Sequence, residues 1–364
     1  MSLISPRAAT VSFAFLILAF SSAGVADDSA ASIAAGGLVS RREPRIVMAK
    51  EVLSISEKKV AVDYDFRNDT NEDVTTEVAF PVPPYTNEYP EGDQGDQAFR
   101  SFRLWVDGQP VQYQVDARAT LEGEDVSETL RANQIDIPTL GHFIDTEDAN
   151  HNQHVATEDF VRLPKAEREK LVEAGLFDDQ GGTAFALWTA HVQYHWTQRF
   201  PAHSTVHIRH EYTPVEGTQL LQAAALRSAL TAVQHGPAAA PDPELRGDLT
   251  LLAGFCAERD VLSSLARRTP AGTYLSPRWV DFILTTANTW RQPIEDFTLI
   301  VERGQPENGS QIFISFCSPQ NAKVEKLDAD RFKVHLKNFI PAAELHIGFF
   351  EVPLAEPARP GVKR

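Results

Sequence analysis

Five histidines lie close together in the sequence, and histidine is the residue that most often binds zinc. They fall in the segments HVQYHW and HSTVHIRH and are His191, His195, His203, His207 and His210. Residues four apart lie on the same face of a strand, but their side chains are roughly 13 Å apart, too far for one ion. Two interpretations stay open: a zinc site completed by neighbouring strands, and surface or interface histidines without a metal.

The other motifs of metal and hydrolase chemistry are incomplete. No Glu follows His191 as a zinc-protease helix requires, and the aromatic and β-branched residues around it favour a strand. The acidic stretch Asp145–Asp159 has oxygen ligands that calcium uses, but it lacks the central Gly and closing Glu of an EF-hand. The sequence also lacks G-x-S-x-G and a Gly-rich phosphate loop before a helix. Zinc and calcium therefore stay candidate cofactors without a full motif.

The tryptophans indicate a third kind of chemistry, because an aromatic ring can stack on the apolar face of a sugar. They are Trp105, Trp188, Trp196, Trp279 and Trp290. Aromatic residues in this number are more often part of core and sheet packing. Glycan binding is therefore an alternative to be weighed against a purely structural role.

The chain has only two cysteines, Cys256 and Cys317, and both lie in apolar surroundings. In an exported protein an isolated pair is most simply one disulfide. It would close a loop of about 60 residues, for which loop entropy gives roughly 4 kcal/mol of stabilisation. An apolar setting also favours a structural bridge over a reactive thiol.

The first 26 residues have the layout of a secretory signal peptide. Arg7 precedes the apolar run Val11–Phe20, and small residues lead to a predicted cleavage between Ala26 and Asp27. The apolar run is short for a membrane span. We therefore predict a periplasmic or secreted protein with no stable membrane insertion after cleavage.

The formal net charge is −16 at neutral pH. So acidic a chain repels the phosphate backbone of nucleic acids, and it is also repelled by anionic lipid surfaces. Nucleic acid is therefore excluded as a partner, whereas an envelope protein or a glycan is not.

These residues must be positioned by strands, which dominate the pattern. Alternating apolar residues predict strands at Val60–Phe66 and Val74–Phe80, joined by a cluster of Asn and Asp that favours a turn. Prolines at 81, 83 and 84 then end the pairing. Asp107-Gly108 is a strong two-residue hairpin signal between two further strands.

Helices are predicted within this β pattern. Pro164 and Gly175 bound a helix in which Leu171, Val172, Leu176 and Phe177 pack inward. A second, Ala- and Leu-rich helix follows at 217–236, then a Pro-rich linker and a third helix.

The predicted fold class is mainly β, with antiparallel β-sandwich-like halves and α-helical insertions. The predicted divisions are a signal peptide at 1–26, an N-terminal domain with a helical insertion at 27–216, a helical connector and C-terminal β domain at 217–355, and a flexible tail at 356–364.

Several segments, in this order, resemble one secreted bacterial family. They include AAGGL, VAVDYDFRNDTNEDVTTEVAFPVP, WTQRFPAHSTVHIRHEYTPV and NFIPAAELHIGFFEVP. The family is catalogued as domain of unknown function 4424, so the resemblance implies neither an activity nor a site residue. YDFRNDTNEDVTTEVAFPVPP followed by FRLWVDGQPV also looks like the inter-alpha-trypsin (VIT) type of β-sandwich domain, which implies an interaction scaffold.

The sequence favours a non-enzymatic binding or envelope-associated interaction module that acts through surface contacts. The scaffold is well specified, whereas each catalytic template fails at one or more positions. The alternatives are a metal-dependent hydrolase that uses the five histidines and a glycan-binding protein.

Overall fold

The fold is described from a computed structural model. It describes residues 29–34, 37–86, 101–147, 153–179, 184–235, 242–306 and 309–353. The predicted signal peptide, the cleavage site at Ala26 and Asp27, and the predicted tail at 356–364 lie outside the described residues.

The largest sheet has eight strands. In spatial order these are β22 (Glu325–Lys326), β23 (Arg331–Phe339), β20 (Ile294–Glu302), β3 (Ile46–Ile55), β4 (Val60–Asn68), β15 (Ser204–Tyr212), β6 (Arg103–Val106) and β7 (Gln109–Pro110). Neighbours are antiparallel except β20 and β3, which run parallel. The predicted face of β4, from Val60 to Phe66 at alternate positions, is fully buried. Asp107 and Gly108 have φ of +50° and +77°, which is the geometry that their hairpin turn needs.

A second sheet of six strands packs on this one. In spatial order its strands are β2 (Gly37–Ser40), β1 (Ser29–Ala34), β5 (Val74–Pro81), β14 (Thr189–Phe200), β8 (Gln114–Leu121) and β9 (Glu124–Asp125). Across the interface, the rings of Phe66 and Phe200 are 5.8 Å apart, and those of Phe80 and His210 are 4.2 Å apart. The two sheets therefore form the layers of a sandwich, and the predicted mainly β fold class is confirmed.

A third sheet of four strands lies next to the helices. Its order is β16 (Glu216–Thr218), β19 (Arg278–Phe282), β24 (Leu345–Pro353) and β21 (Ser310–Phe316). Three short pairs complete the strands: β10 (Phe143–Glu147) with β11 (Gln153–Thr157), β12 (Phe177–Asp179) with β13 (Ala184–Ala186), and β17 (Leu221–Gln222) with β18 (Tyr274–Leu275).

The α-helices of the described residues are short. They are α1 (Ser127–Ala132), α2 (Glu158–Val161), α3 (Lys165–Glu173), α4 (Ala223–His235), α5 (Arg246–Gly254) and α6 (Arg259–Arg268). Helix α3 lies where Pro164 and Gly175 predicted it, but Val172 is 37% exposed, because it falls on the outer side of this helix. Helix α4 begins six residues later than predicted, because residues from Glu216 to Gln222 pair as β16 and β17.

The helices α4, α5 and α6 share a second apolar cluster with the four-stranded sheet. Leu226, Leu252, Leu262 and Leu265 pack there with Phe350 of β24. A disulfide joins Cys256, just after α5, to Cys317, just after β21, as the sequence predicted. The bridge therefore ties the helices to this sheet.

The parallel pair of β20 and β3 joins distant parts of the chain. Strand β3 lies before the predicted domain boundary at 216 and 217, and β20 lies after it. The eight-stranded sheet thus contains strands from both sides of that boundary, and the division into two domains stays a prediction.

Candidate binding cleft

The first two histidines lie on β14 and have partners within the sheets. Nε2 of His191 is 2.9 Å from Oγ1 of Thr120, and burial lowers the pKa of this imidazole. Nδ1 of His195 is 2.6 Å from Oε1 of Glu77 on the neighbouring strand. Both side chains therefore hydrogen-bond across the six-stranded sheet.

The other three histidines lie in or beside the eight-stranded sheet. His203 is in a turn, with Nε2 2.8 Å from Oδ1 of Asn71, and His207 lies between Asp63 and Asp65 on the outer face. His210 is fully buried among aromatic rings. The structure thus distributes the five histidines over two sheets, and in the part of the chain it describes, no group of three or more His, Cys, Asp or Glu could hold a metal ion.

The acidic stretch proposed for calcium forms a hairpin. Strands β10 and β11 pair in antiparallel fashion, and residues 148–152 lie outside the described residues. At its end Asp159 is 3% exposed and accepts the backbone N–H of Asp136 at 2.8 Å and a bond from Arg162. Asp159 therefore holds the loop together.

The five tryptophans comprise three core residues, one residue on the surface of a sheet and one cleft residue. Trp188, Trp196 and Trp290 are buried, and Trp105 is partly exposed on the eight-stranded sheet. Trp279 lines a cleft of 310 Å³ between the sandwich and the four-stranded sheet. Trp279 therefore combines a partly exposed ring with a concave surface.

Two chain segments form the walls of the cleft. The first runs from Val82 to Thr86 and the second from Thr213 to Gly217; Tyr194, Tyr212, Trp279 and Asp281 complete the lining. The prolines at 83 and 84 cannot donate to a ladder, so the first segment leaves regular pairing there. Val82 and Tyr85, on either side of the two prolines, still hold the segment to β14. Their N–H groups donate to the carbonyls of Val192 and Ala190 at 3.0 and 3.2 Å.

The position of Trp279 depends on the absence of a side chain at Gly217. The two residues face each other in the pairing of β16 with β19. A Cβ at Gly217 would lie 2.1 Å from Cε2 of the indole. The ring therefore lies directly over the glycine backbone, which fixes its orientation in the cleft wall.

Two tyrosines line the inner end of the cleft. Tyr194 stacks on Phe102 with ring centres 3.9 Å apart, and burial raises the pKa of its hydroxyl. Burial also raises the pKa of Tyr212, whose hydroxyl is buried and has no hydrogen-bond partner among the described residues. The inner end is therefore aromatic and poorly solvated.

The charged residues of the described lining are both acidic. Asp281 accepts a 2.7 Å hydrogen bond at Oδ1 from His346, and this bond raises the pKa of His346. Glu216 is 3.2 Å from Nζ of Lys58 and 3.7 Å from Nε of Arg278.

Arg278 is shared among acids behind the cleft. It donates from Nε to Glu57 at 2.8 Å and from Nη2 to Glu351 at 3.3 Å. Burial raises the pKa of Glu57 in this group. Three acids, Glu57, Glu216 and Glu351, thus share Arg278.

This arrangement offers contacts of the kind found in small-molecule sites. It offers aromatic faces, apolar side chains and carboxylate oxygens in a concavity at the lower end of the usual size for ligand sites. Sequence reasoning included Trp279 among the tryptophans but missed the cleft. The two wall segments of the cleft come together only through the sheet pairing. The prolines at 83 and 84 did predict that one of these segments follows the end of a strand.

Fold and cleft together define a β-rich protein with a small ligand-sized concavity. Residues 26–347 match the family described as "Domain of unknown function (DUF4424)", and the chain belongs to this family. No curated protein matches the chain. Among solved structures it is similar to a putative nutrient binding protein from Legionella pneumophila subsp. pneumophila str. Philadelphia 1. The identity is 16%, with 89% of this chain and 72% of that chain covered and a TM-score of 0.37. A likeness at this level carries no argument about function.

Within the described ranges, no helix combines the length and the apolarity that a membrane span requires.

Proposed function

We propose that this protein is an exported, non-enzymatic binding module and that the cleft at Trp279 is its ligand site. The observation that carries the proposal is the cleft itself, 310 Å³ in volume, with an indole held over Gly217 in its wall. Small-molecule sites are concave and mostly apolar, with a few placed polar groups, and this lining has that composition.

Export is supported by the signal pattern of residues 1–26 and by the disulfide between Cys256 and Cys317. Disulfides persist in oxidising compartments such as the periplasm. N-terminal sequencing of the mature protein from the periplasmic fraction of a bacterial host tests this point. We expect the sequence to begin at Asp27, and recovery of an intact N-terminus in the cytoplasm would contradict export.

Binding is tested by ligand-observed NMR with a mixed library of amines, amino acids, short peptides and sugars. We expect at least one compound to bind the wild-type protein and Trp105→Ala, but not Trp279→Ala. Trp105 is the matched control because its ring is also accessible but lies outside the cleft. Absence of any binder, or equal binding by Trp279→Ala, would refute the cleft as the ligand site.

A glycan is the second candidate ligand, because Trp279 combines with carboxylate acceptors in one concavity. The same library separates it from other ligands through its sugars. The hydrolase alternative lacks comparable support, since His191 and His195 lie on one sheet and His207 and His210 on the other. Elemental analysis of the purified protein tests the hydrolase alternative. Stoichiometric zinc that is lost on His195→Ala would support a metal-dependent hydrolase.

A further inference from the structure

We propose that the cleft selects an organic cation, specifically an alkylated ammonium group, over a neutral molecule of the same shape. This inference rests on the proposed binding function and adds the chemical class of the ligand. It is carried by Asp281, which has one oxygen without a hydrogen-bond partner among the described residues and lies two residues from Trp279 on the same strand face, in a lining whose charged residues are acidic.

The charge pattern of the lining comes first. Glu216 and Asp281 line the cleft, and none of the described lining residues is Lys, Arg or His. Lys58 and Arg278 contact Glu216 from outside the lining and offset its charge, so Asp281 is the carboxylate that a ligand meets. An anionic ligand would therefore meet the carboxylate of Asp281 and no Lys, Arg or His among the described lining residues, whereas a cation meets complementary charge.

The second step is the hydrogen bonding of Asp281. Its Oδ1 accepts from His346 at 2.7 Å, while Oδ2 has no hydrogen-bond partner among the described residues. The side chain keeps 35% of its exposure. One oxygen is thus held in place and the other is left to receive a donor or a positive charge.

The third step is the geometry of β19. Trp279 and Asp281 are two residues apart on this strand, so their side chains lie on the same face. Their Cα atoms are then about 7 Å apart, which is close to the width of a trimethylammonium group. A cation between them contacts the indole face, the ring type with the strongest cation–π attraction, and the carboxylate together.

The test compares choline with 3,3-dimethylbutan-1-ol, its uncharged isostere, by isothermal titration calorimetry. Because the two differ in charge and not in shape, we expect choline to bind the wild-type protein at least about tenfold more tightly. We expect Asp281→Asn to remove most of this difference, and Trp279→Ala to weaken the binding of both compounds by about tenfold or more. Raising the salt concentration should weaken the binding of choline and leave the affinity for the isostere unchanged.

A matched control is available on the eight-stranded sheet. Asp296 pairs with His335 at 2.8 Å, as Asp281 pairs with His346, and also with Lys337 at 2.5 Å; its side chain is 34% exposed, nearly the same as Asp281. Asp296→Asn removes the same charge from the protein but not from the cleft. It should leave the choline preference intact, and a loss equal to that of Asp281→Asn would assign the preference to net charge and refute the site.

The outcomes separate this inference from the proposed function. Equal affinity for choline and its isostere would overturn charge selection while leaving the cleft as a binding site. Binding of sugars alone, lost in Trp279→Ala, would also overturn the cation and favour a glycan. Failure of choline, isostere and the whole library would overturn the inference and the binding function together.

Discussion

The two ends of strand β5 differ in how their polar groups are used. At the beginning of β5, the turn Asn68–Asp73 connects it to β4; at its end, the segment Val82–Thr86 forms a wall of the cleft. One sequence stretch therefore contributes both to the scaffold and to the candidate site.

At the turn, the polar groups bind one another. The buried amide of Asn68 donates to the carbonyls of Glu72 and Phe200, both at 2.9 Å, and accepts from the N–H and hydroxyl of Thr70. Asp73 accepts from the N–H of Ala202 at 2.9 Å. An amide that makes all its hydrogen bonds internally has none left for a ligand.

At the cleft, by contrast, binding capacity remains. Tyr212 has a hydroxyl without a partner among the described residues, Asp281 has one unused oxygen, and Trp279 presents an accessible ring. The comparison teaches that a satisfied polar network indicates a scaffold, whereas groups held in place but incompletely bonded indicate a site.

Replacement of Asn68 should damage the scaffold and not the site. In Asn68→Ala, the carbonyls of Glu72 and Phe200 lose their donor in a buried position, and we expect the free energy of unfolding to fall by about 3 kcal/mol. Urea denaturation followed by circular dichroism measures it. Asn71→Ala, in the exposed part of the same turn, is the control and should change stability by less than about 0.5 kcal/mol. A loss at Asn71 as large as that at Asn68 would contradict the account.

A methyl group at Gly217 should damage the site through packing. In Gly217→Ala the new Cβ overlaps the Trp279 indole, so we expect a loss of about 2 kcal/mol in stability together with weaker ligand binding. Thermal unfolding and calorimetry measure the two effects. Gly247→Ala has no heavy atom within 4 Å of the new Cβ and should lose neither. Unchanged binding in Gly217→Ala would show that the indole orientation is irrelevant.

Removal of the indole should affect binding more than folding. We expect Trp279→Ala to weaken ligand binding by tenfold or more, and a tenfold change in Kd corresponds to about 1.4 kcal/mol. The partly exposed position should limit the loss of folding stability to less than that in Trp290→Ala, whose ring is buried in the core. The opposite order of stabilities would contradict the assignment of Trp279 to a site.

The smallest effect concerns His346. Its hydrogen bond to Asp281, helped by the negative charge of Glu344, raises its pKa above the usual value of about 6.5. A raised folded-state pKa stabilises the fold below the unfolded pKa, and this contribution is lost as the pH rises through the folded pKa. Because the side chain is half exposed, we expect less than about 1 kcal/mol.

The titration of His346 is measured by NMR of its imidazole. The midpoint should lie above 6.5 in the wild-type protein and move down towards it in Asp281→Asn. A midpoint that does not respond to this substitution would remove His346 as the group that orients Asp281.

The scaffold was more predictable from the sequence than the site. The alternation in β4 and the Asn- and Asp-rich turn are local signals, and both appear in the structure. The parallel pairing of β20 with β3 has no local signal, because it joins segments more than 240 residues apart. The cleft has the same origin, since Val82–Thr86, Thr213–Gly217 and Trp279 meet only after the sheets form.

The histidines show the opposite case, in which a local sequence pattern suggested a site that the structure does not assemble. Their spacing gave a strong local pattern, but β14 and β15 belong to different sheets. His195 bonds Glu77, and His210 packs among aromatic rings. Clustering in the sequence thus did not produce clustering in space.

The most direct test of the central claim is fluorine NMR of protein labelled with 5-fluorotryptophan, titrated with tetramethylammonium. The five tryptophans give five signals, assigned by single Trp→Phe variants, and only Trp279 lies in the cleft. The account predicts a saturable shift of the Trp279 signal, with those of Trp188, Trp196 and Trp290 unchanged. A shift confined to Trp105, or no shift of Trp279 at saturating concentration, would contradict it.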